Sequence, residues 1–382
     1  MRKLFLSIIA LTLSIGAWAQ ETQSVNYIDA DGQEQTAYNV TEITNTSSTL
    51  TAGWHVVLGS DVQTGTLTCN GDVHLILADG AKLTAHGDDN PATPGIRVSG
   101  SDDKLIIYGQ TYQTGQLNAF GGGYRADMGG AGAAGIGGGD RSFGSNITIN
   151  GGIVLAKGGD GAAGIGGGYY NYTGGFNITI NYGTVTAYGG LESAGIGGGK
   201  HGKGSNITIN GGIVTAVGGE LAASIGGGYE GAGSNIKVSA DCKVFADGNN
   251  PPTTEIAHNS DTDLASDLSK RYAFIEIDRN IIQELQSAAI AAIDEVIAGV
   301  NNVIILDFAQ KAKNRITNAT NRTAITAIKD SAITELDTLI KTHKSALGEL
   351  GEEKAGTAVK VTKGDTEVIL YAPDKVEYII RK

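Results

Sequence analysis

Between residues 134 and 246, short runs of alternating apolar and polar residues recur at a regular interval. One run is Asn146-Ile-Thr-Ile-Asn150, and copies of it stand at 177–181, at 206–210 and, in weaker form, at 235–239. Alternation places both isoleucines on one face of a β-strand and the threonine on the other. The pattern therefore predicts a set of short, similar strands, each with one buried face.

Two further runs accompany each copy. The first is Ala-Gly-Ile-Gly-Gly-Gly, at 134–139, 163–168, 194–199 and, with a serine in place of its first glycine, 223–228. The second carries a valine two residues before an alanine, at 154–156, 185–187, 214–216 and 244–246. The first-run isoleucine recurs at steps of 29, 31 and 29 residues. Three strands in about 30 residues predict one coil of a right-handed, three-sided parallel β-helix.

Stacking such coils makes specific demands on the side chains. Ile147 and its copies are expected to form one buried column, and Asn146 and its copies an amide ladder between coils. Glycine is favoured at the corners because a positive φ costs it little. Degraded versions of the runs extend upstream, so we expect about six coils; they stand at 53–58, 74–77, 82–85, 104–109 and 116–122.

The composition changes after Pro252 to an alanine-, isoleucine- and leucine-rich stretch with helical spacing, typical of a small bundle. The final residues alternate again around Gly364-Asp365, which predicts two or three strands; both a sorting signal and a strand pair packed on the bundle fit this segment. We predict six segments: a signal peptide at 1–19, an N-terminal cap at 20–52, the parallel β-helix at 53–248, a linker at 249–267, a helical bundle at 268–350 and a C-terminal β segment at 351–382.

The first 19 residues have the three parts of a secretory signal peptide. Arg2 and Lys3 form the basic start, residues 4–15 are mainly apolar, and Ala17-Trp-Ala19 resembles a cleavage site. The apolar run is shorter than the ~20 residues that span a bilayer, so we expect no membrane span. This predicts an exported protein, and secretion, surface display and a periplasmic location all fit.

Charge and cysteine content narrow the picture further. The formal net charge is -12, and an acidic chain without a basic stripe is a poor binder of nucleic acid. The 58 glycines against 5 prolines exclude a disordered Pro/Gly linker and suit many tight turns. Cys69 and Cys242 fall several coils apart, so we expect two separate buried thiols rather than a disulfide.

Motifs for catalysis or cofactors are weak. The G-x-G-x-x-G match at 130–135 lacks the helix that a dinucleotide site needs. The segment 158–165 resembles a calcium-binding repeat but carries Ala163 where that repeat has a ligand aspartate. The histidines show no metal spacing and the acidic residues fall at about one per coil, so we predict no cofactor, no metal and no enzyme activity. A calcium site elsewhere stays open as an alternative, with Asp88, Asp89, Asp102 and Asp103 as its candidates.

Aromatic residues crowd the turns of the repeats. Exposed rings beside polar groups can stack on sugar rings while the polar groups bond hydroxyls. The alternative is that the rings cover the backbone of long turns. The candidate glycan-stacking residues are Tyr169, Tyr170, Tyr172, Tyr188 and Tyr229.

The three runs together resemble secreted bacterial glycine-rich β-helix proteins of the carbohydrate-binding domain-containing or adhesin-like type. Residues 312–340 resemble the helical spacer modules of bacterial surface proteins. The resemblance implies an extracellular, non-catalytic protein that binds a polysaccharide or a cell-surface glycan. A structural, self-associating spacer and, less favoured, a polysaccharide lyase or hydrolase are the alternatives.

Overall fold

The computed structural model describes residues 23–123, 132–319 and 322–350, and three strands within 359–381. A parallel β-helix is followed by three helices and a small antiparallel sheet. The predicted fold class, mainly β with a solenoid before a helical region, is confirmed. The predicted signal peptide lies outside the described residues.

The strands and helices are numbered in chain order. The N-terminal segment forms β1 (Val25–Ile28), β2 (Glu34–Ala37) and β3 (Thr41–Glu42). The solenoid strands are β4 (Thr49–Val57), β5 (Val62–Thr64), β6 (Leu67–Leu77), β7 (Lys82–His86), β8 (Ile96–Arg97), β9 (Lys104–Tyr108), β10 (Gln116–Phe120), β11 (Ile136–Gly137), β12 (Gly144–Ile149), β13 (Ile153–Lys157), β14 (Ile165–Gly166), β15 (Gly175–Ile180), β16 (Thr184–Tyr188), β17 (Ile196–Gly197), β18 (Gly204–Ile209), β19 (Ile213–Val217), β20 (Ile225–Gly226), β21 (Gly233–Val238) and β22 (Cys242–Asp247). After them come β23 (Tyr272–Ile277), α1 (Arg279–Val296), α2 (Val303–Asn318), α3 (Arg322–Leu350), β24 (Val359–Lys363), β25 (Thr366–Leu370) and β26 (Ile379–Arg381).

From β8 onward each coil contributes one strand to each of three faces, whereas β6 of the preceding coil pairs with both β8 and β9. The two-residue strands β8, β11, β14, β17 and β20 form the glycine face; β9, β12, β15, β18 and β21 form the asparagine face. The alanine face stacks β5, β7, β10, β13, β16 and β19 in parallel. Six strands on this face agree with the predicted number of coils. Three turns per coil form the corners of the solenoid, and each corner takes the names of the two faces that it joins.

The asparagine face shows why its run repeats so closely. Ile147, Ile178, Ile207 and Ile236 pair in register and are fully buried, as predicted. The amides of the adjacent asparagines bond from coil to coil, with Nδ2···Oδ1 distances of 3.1, 3.3 and 2.7 Å. These asparagines, Asn146, Asn177, Asn206 and Asn235, have φ between 50° and 56°. Asparagine fits because it tolerates the left-handed region better than most residues.

The glycine face depends on a close approach between backbones. Gly166 has a φ of +131°, and a Cβ at this position would lie 2.1 Å from the carbonyl oxygen of Gly197 in the next coil. No side chain fits at such a distance. The isoleucine before this glycine, Ile165, is fully buried and pairs with Ile136 and Ile196. Each coil therefore turns sharply here while still adding one apolar side chain to the core.

The C-terminal end of the solenoid differs from the prediction. The valine–alanine run at 244–246 does not stack on β19, because β23 inserts between β19 and β22 and pairs antiparallel with both. The predicted bundle began at residue 268, whereas α1 begins at Arg279. The alternation in Tyr272–Ile277 explains the strand: Ala273 and Ile275 point into the core.

The segment predicted as a linker covers this open end. Leu264 and Leu268 are fully buried in the solenoid core. The Leu264 amide donates to the carbonyl of Ile236, and the Ile225 amide donates to that of Leu268. Without this segment the last coil would expose apolar side chains and unpaired backbone groups, and the buried leucines shield that edge from water. Residues 254–277 thus act as a C-terminal cap.

The N-terminal segment has two roles. Val40, Ile43 and Leu50 are buried in the solenoid core, and β3 pairs in parallel with β4, so this part closes the first coil as predicted. The β1–β2 hairpin instead lies on the side of the solenoid. Its Tyr27 ring lies 4.6 Å from that of Trp54 and 4.7 Å from that of Tyr108. The hairpin therefore covers apolar side chains that the first coils present outward.

The three helices form a second core. Their buried side chains include Ile282, Ile293, Ile305, Ile316 and Leu336. Asp278 caps α1 and Asn302 caps α2 through side-chain oxygens that accept backbone amides, a strong preference at helix starts. After the bundle, β24, β25 and β26 form an antiparallel sheet.

A salt bridge joins the bundle to the solenoid. The Asp241 carboxylate, nearly buried, accepts three hydrogen bonds from the Arg322 guanidinium at 2.6–3.0 Å. The Asp278 amide donates to the carbonyl of Asp241 as well. Arg315 also bonds Gln33 of the hairpin. The bundle therefore sits at the asparagine–alanine corner, beside the hairpin.

The asparagine ladder should contribute measurably to the free energy of unfolding. Asn177→Gly removes two ladder hydrogen bonds and should lower the free energy of unfolding by about 1–2 kcal/mol. Asn177→Ala should lose about 1 kcal/mol more, because alanine is strained at a left-handed φ. Urea titrations followed by circular dichroism test both variants. Equal stability of the alanine and glycine variants would contradict the backbone geometry, and an unaffected glycine variant would contradict the ladder.

The Arg322–Asp241 pair should couple the bundle to the solenoid. Arg322→Ala leaves a nearly buried carboxylate without its charged donor, which costs about 2 kcal/mol. Hydrogen exchange should then accelerate in α1 and α2 while the strands of the solenoid stay protected. Lys311→Ala breaks an exposed pair with Asp307 and serves as the matched control, with at most about 1 kcal/mol expected. Similar exchange in both variants would show that the pair does not couple the two parts.

Candidate functional site

The turn that joins the glycine face to the asparagine face is where most of the candidate tyrosines lie. In three coils this turn has four residues, at 140–143, 200–203 and 229–232, whereas the coil of Tyr169 has six, at 169–174. Asn171 organises the longer turn. Its Oδ1 accepts the amide of Gly174 at 2.9 Å, and its Nδ2 donates to the carbonyl of Arg141 at 3.0 Å.

Aromatic rings on three successive coils form a row at this corner, which we call the tyrosine row. Tyr170 lies 5.1 Å from Tyr169 and 4.6 Å from His201, measured between ring centroids. His201 lies 5.9 Å from Tyr229 in the next coil. Tyr172 lies beside Tyr170 and His201, at 6.0 and 6.3 Å. Tyr170 and Tyr172 remain 42% and 66% exposed.

Four of the five predicted residues therefore come together, and Tyr188 does not. Tyr188 ends strand β16 on the alanine face and points outward at the alanine–glycine corner, 39% exposed. It pairs in register with Lys157 and Val217, the equivalent residues of the neighbouring coils. The glycine face separates it from the tyrosine row.

The sequence interpretation missed His201. It occupies the turn position equivalent to Tyr170, and both have a left-handed φ, 63° and 54°. Aligning the coils residue by residue at this turn gives Arg141, Tyr170, His201 and Glu230 in one column. That alignment is the signal that identifies His201, because side chains at equivalent positions of successive coils lie next to each other.

Two close polar contacts lie beside the row. The Lys200 ammonium bonds the Glu192 carboxylate at 2.5 Å, and this hydrogen bond raises the pKa of Lys200. The same ammonium lies 5.9 Å from the centroid of the Tyr229 ring. His201 Nδ1 lies 3.0 Å from Glu230. The corner thus presents aromatic surface together with carboxylate, ammonium and amide groups.

Two of the four carboxylates proposed as alternative calcium ligands, Asp89 and Asp103, bond backbone amides. Asp103 accepts the amides of Gly71 and Gly100, and Asp89 accepts that of Gly123. Within the described parts of the chain, no group of three or more histidine, cysteine, aspartate and glutamate side chains is placed to hold a metal ion. The dinucleotide-like motif lies partly outside those residues.

Three segments of the chain match the family model described as beta helix repeat, at residues 147–169, 178–200 and 207–229. Each match runs from the asparagine face through the alanine face and the glycine face to the first residue of the next corner. The chain is therefore similar to beta helix repeat proteins in the coils that carry the row. No curated protein and no solved structure matches the chain. Among the described helices, none is long and apolar enough to cross a membrane.

The two cysteines are separate and buried, as predicted. Burial is the main cause that raises the pKa of Cys242 to about 12, and it raises the pKa of Cys69 as well. Both thiols are therefore protonated at neutral pH, and a protonated thiol is a poor nucleophile.

We expect the native protein to resist iodoacetamide at neutral pH, because neither thiol is ionised or accessible. In denaturant both cysteines should be alkylated, which mass spectrometry counts directly. The denatured sample is its own control for reagent quality. Alkylation of either cysteine in the folded protein would contradict the burial of that thiol.

Proposed function

We propose that this protein is a non-catalytic, adhesin-like glycan-binding protein that acts outside the cell, and that the tyrosine row binds the glycan. The observation that supports this most directly is the continuous line of rings from Tyr169 to Tyr229, with Tyr170 and Tyr172 largely exposed. Aromatic rings at a surface offer apolar area to the C–H faces of a sugar, and their rims stay available to water.

The backbone at this corner makes the choice of residues informative. Tyr170 and His201 have φ values of 54° and 63°, a region that a bulky residue enters at a cost of about 1–3 kcal/mol. Glycine or asparagine would satisfy the same turn at less cost. The chain instead carries two aromatic rings there, next to each other in space. The equivalent residues Arg141 and Glu230 share this φ, so the turn requires the conformation and only the aromatic side chains are particular to these two coils.

Ring packing offers the competing explanation that the side chains stabilise the turns. Tyr170 and Tyr229 both meet His201 edge to face, an arrangement worth about 0.5–1.5 kcal/mol per pair. Tyr169 covers Gly161, where a Cβ would lie 2.3 Å from the ring. Tyr169 and Tyr229 therefore have a structural role. Tyr170 and Tyr172 retain exposed area that this role does not use.

The polar groups at the corner suit an uncharged sugar. The Lys200 ammonium faces the Glu192 carboxylate and the His201 ring faces the Glu230 carboxylate, so hydrogen-bond donors and acceptors lie side by side along the row. These groups and the Asn171 amide can exchange hydrogen bonds with hydroxyl groups. The hairpin and the bundle lie at the asparagine–alanine corner, away from the row. A long glycan can thus reach it along the solenoid.

Head-to-tail self-association, one form of the alternative spacer role, has less support. Residues 254–277 cover the last coil with Leu264 and Leu268, and residues 40–50 cover the first. Covered ends do not offer the open strand edges that stacked solenoids require. The extracellular location follows from the predicted signal peptide and the resemblance to secreted proteins.

Substitution of the exposed tyrosines tests the proposal. Tyr170→Ala and Tyr172→Ala should each weaken binding of a neutral oligosaccharide by roughly tenfold, which corresponds to about 1.4 kcal/mol. A glycan array on the mature chain selects the ligand, and isothermal titration calorimetry measures the affinities.

Tyr112→Ala is the matched control, since Tyr112 is 78% exposed and lies at the asparagine–alanine corner. The control should bind like the unchanged protein. If the row only covers backbone, the Tyr170 and Tyr172 variants lose thermal stability and keep full affinity, which would refute the proposal. Absence of any neutral glycan ligand would refute it as well.

A further inference from the structure

The alanine–glycine corner carries a second set of outward side chains, each the last residue of an alanine-face strand. In register they are His86, Phe120, Lys157, Tyr188 and Val217, followed by Tyr272 of the antiparallel strand β23. The first two rings stack at 4.8 Å. Neighbouring strands lie about 4.8 Å apart, so Lys157 to Tyr272 spans roughly 14 Å. This is the length of a short oligosaccharide.

A groove of about 500 Å³ lies along this column, a volume typical of ligand sites. Its floor consists of the glycine pairs that close the alanine-face strands. Its side chains are Lys157, Tyr188, Leu191, Val217, Glu220 and Arg271. Tyr188 and Leu191 are 39% and 53% exposed, so the groove already presents apolar area to solvent.

The cations of this groove, Lys157 and Arg271, make no salt bridge among the described residues, unlike Lys200 beside the tyrosine row. Lys157 is exposed, and no acidic side chain among the described residues pairs with it. Arg271 is fixed by its Nε, which donates to the carbonyl of Gly218 at 3.2 Å, and its guanidinium carbon lies 5.4 Å from the centroid of the Tyr272 ring. This leaves its terminal nitrogens for another acceptor. Glu220 is the one carboxylate among the lining residues.

A locally cationic groove in a chain of net charge -12 requires an explanation. Lys157 and Arg271 lie toward opposite ends of the groove, so a chain that carries more than one carboxylate can meet both cations. The planar guanidinium binds carboxylates through paired hydrogen bonds. An exposed tyrosine between a lysine and an arginine adds the apolar surface on which a sugar ring stacks.

We propose that this groove is a second glycan site, specific for an oligosaccharide whose sugars carry carboxylates, with Lys157 and Arg271 binding the carboxylates and Tyr188 stacking on a sugar ring. The inference rests on the proposed function only in that both ligands are glycans. Its site, its residues and its charge preference are separate from those of the tyrosine row.

The test compares oligogalacturonate with its methyl ester, which has the same backbone without the charges, by calorimetry on the mature chain. The acid should bind at least tenfold more tightly than the ester, and added salt should weaken the binding of the acid. Lys157→Gln and Tyr188→Ala should each weaken the acid roughly tenfold. The Lys157 side chain is exposed and pairs with no acid in the described part of the chain, so its substitution should leave the thermal midpoint unchanged.

Lys203→Gln is the matched control, because Lys203 is an exposed lysine at the corner of the tyrosine row. It should bind the acid normally. Equal affinity for acid and ester, no binding of the acid, or equal losses in the Lys157 and Lys203 variants would overturn the proposal. A loss in Tyr170→Ala would place the acid in the tyrosine row and equally overturn it. Failure of the proposed function is distinct, since it concerns neutral glycans and Tyr170 and Tyr172.

Discussion

The hydrogen-bonded register between coils is the constraint on which the rest of this structure depends. Ile147 pairs with Ile178, and Lys157 pairs with Tyr188, because every coil must present its backbone groups to the next in step. A shift by one residue would turn each buried isoleucine outward. The asparagine ladder strengthens this register. The close contact between the backbones at Gly166 and Gly197, where no side chain fits, strengthens it as well. The same register orders the surface residues, so equivalent positions of successive coils are neighbours in space.

The sequence predicted those features that repeat. The buried isoleucine column, the amide ladder, the two separate thiols and the neighbours of Tyr188 all follow from aligning the coils, because identical environments favour identical residues. The left-handed φ at Asn177 did not follow, since alternation shows which face a residue occupies and not its backbone conformation. His201 was overlooked for a related reason: a single histidine among tyrosines has no periodicity of its own.

Features that occur once were harder to predict. The cap formed by residues 254–277 has no counterpart in the rest of the described chain, and Pro251-Pro252 marked the end of the repeats without indicating that a cap comes next. Strand β23 is short and stands directly before a helix, so its alternation was assigned to the bundle. Its place between β19 and β22 depends on the free edge of strand β19, which exists only once the coils have stacked. Arg271 was missed with it, because it contacts the groove only through that insertion.

The antiparallel insertion of β23 also limits how such a protein can change in length. Both ends of the solenoid are closed by unique segments, so an added repeat cannot be appended and must be inserted between existing coils. Each internal duplication would leave the caps intact and extend both the tyrosine row and the cationic groove by about 4.8 Å. The number of repeats would then set the length of the row and of the groove, while the chemistry of each single contact stayed the same.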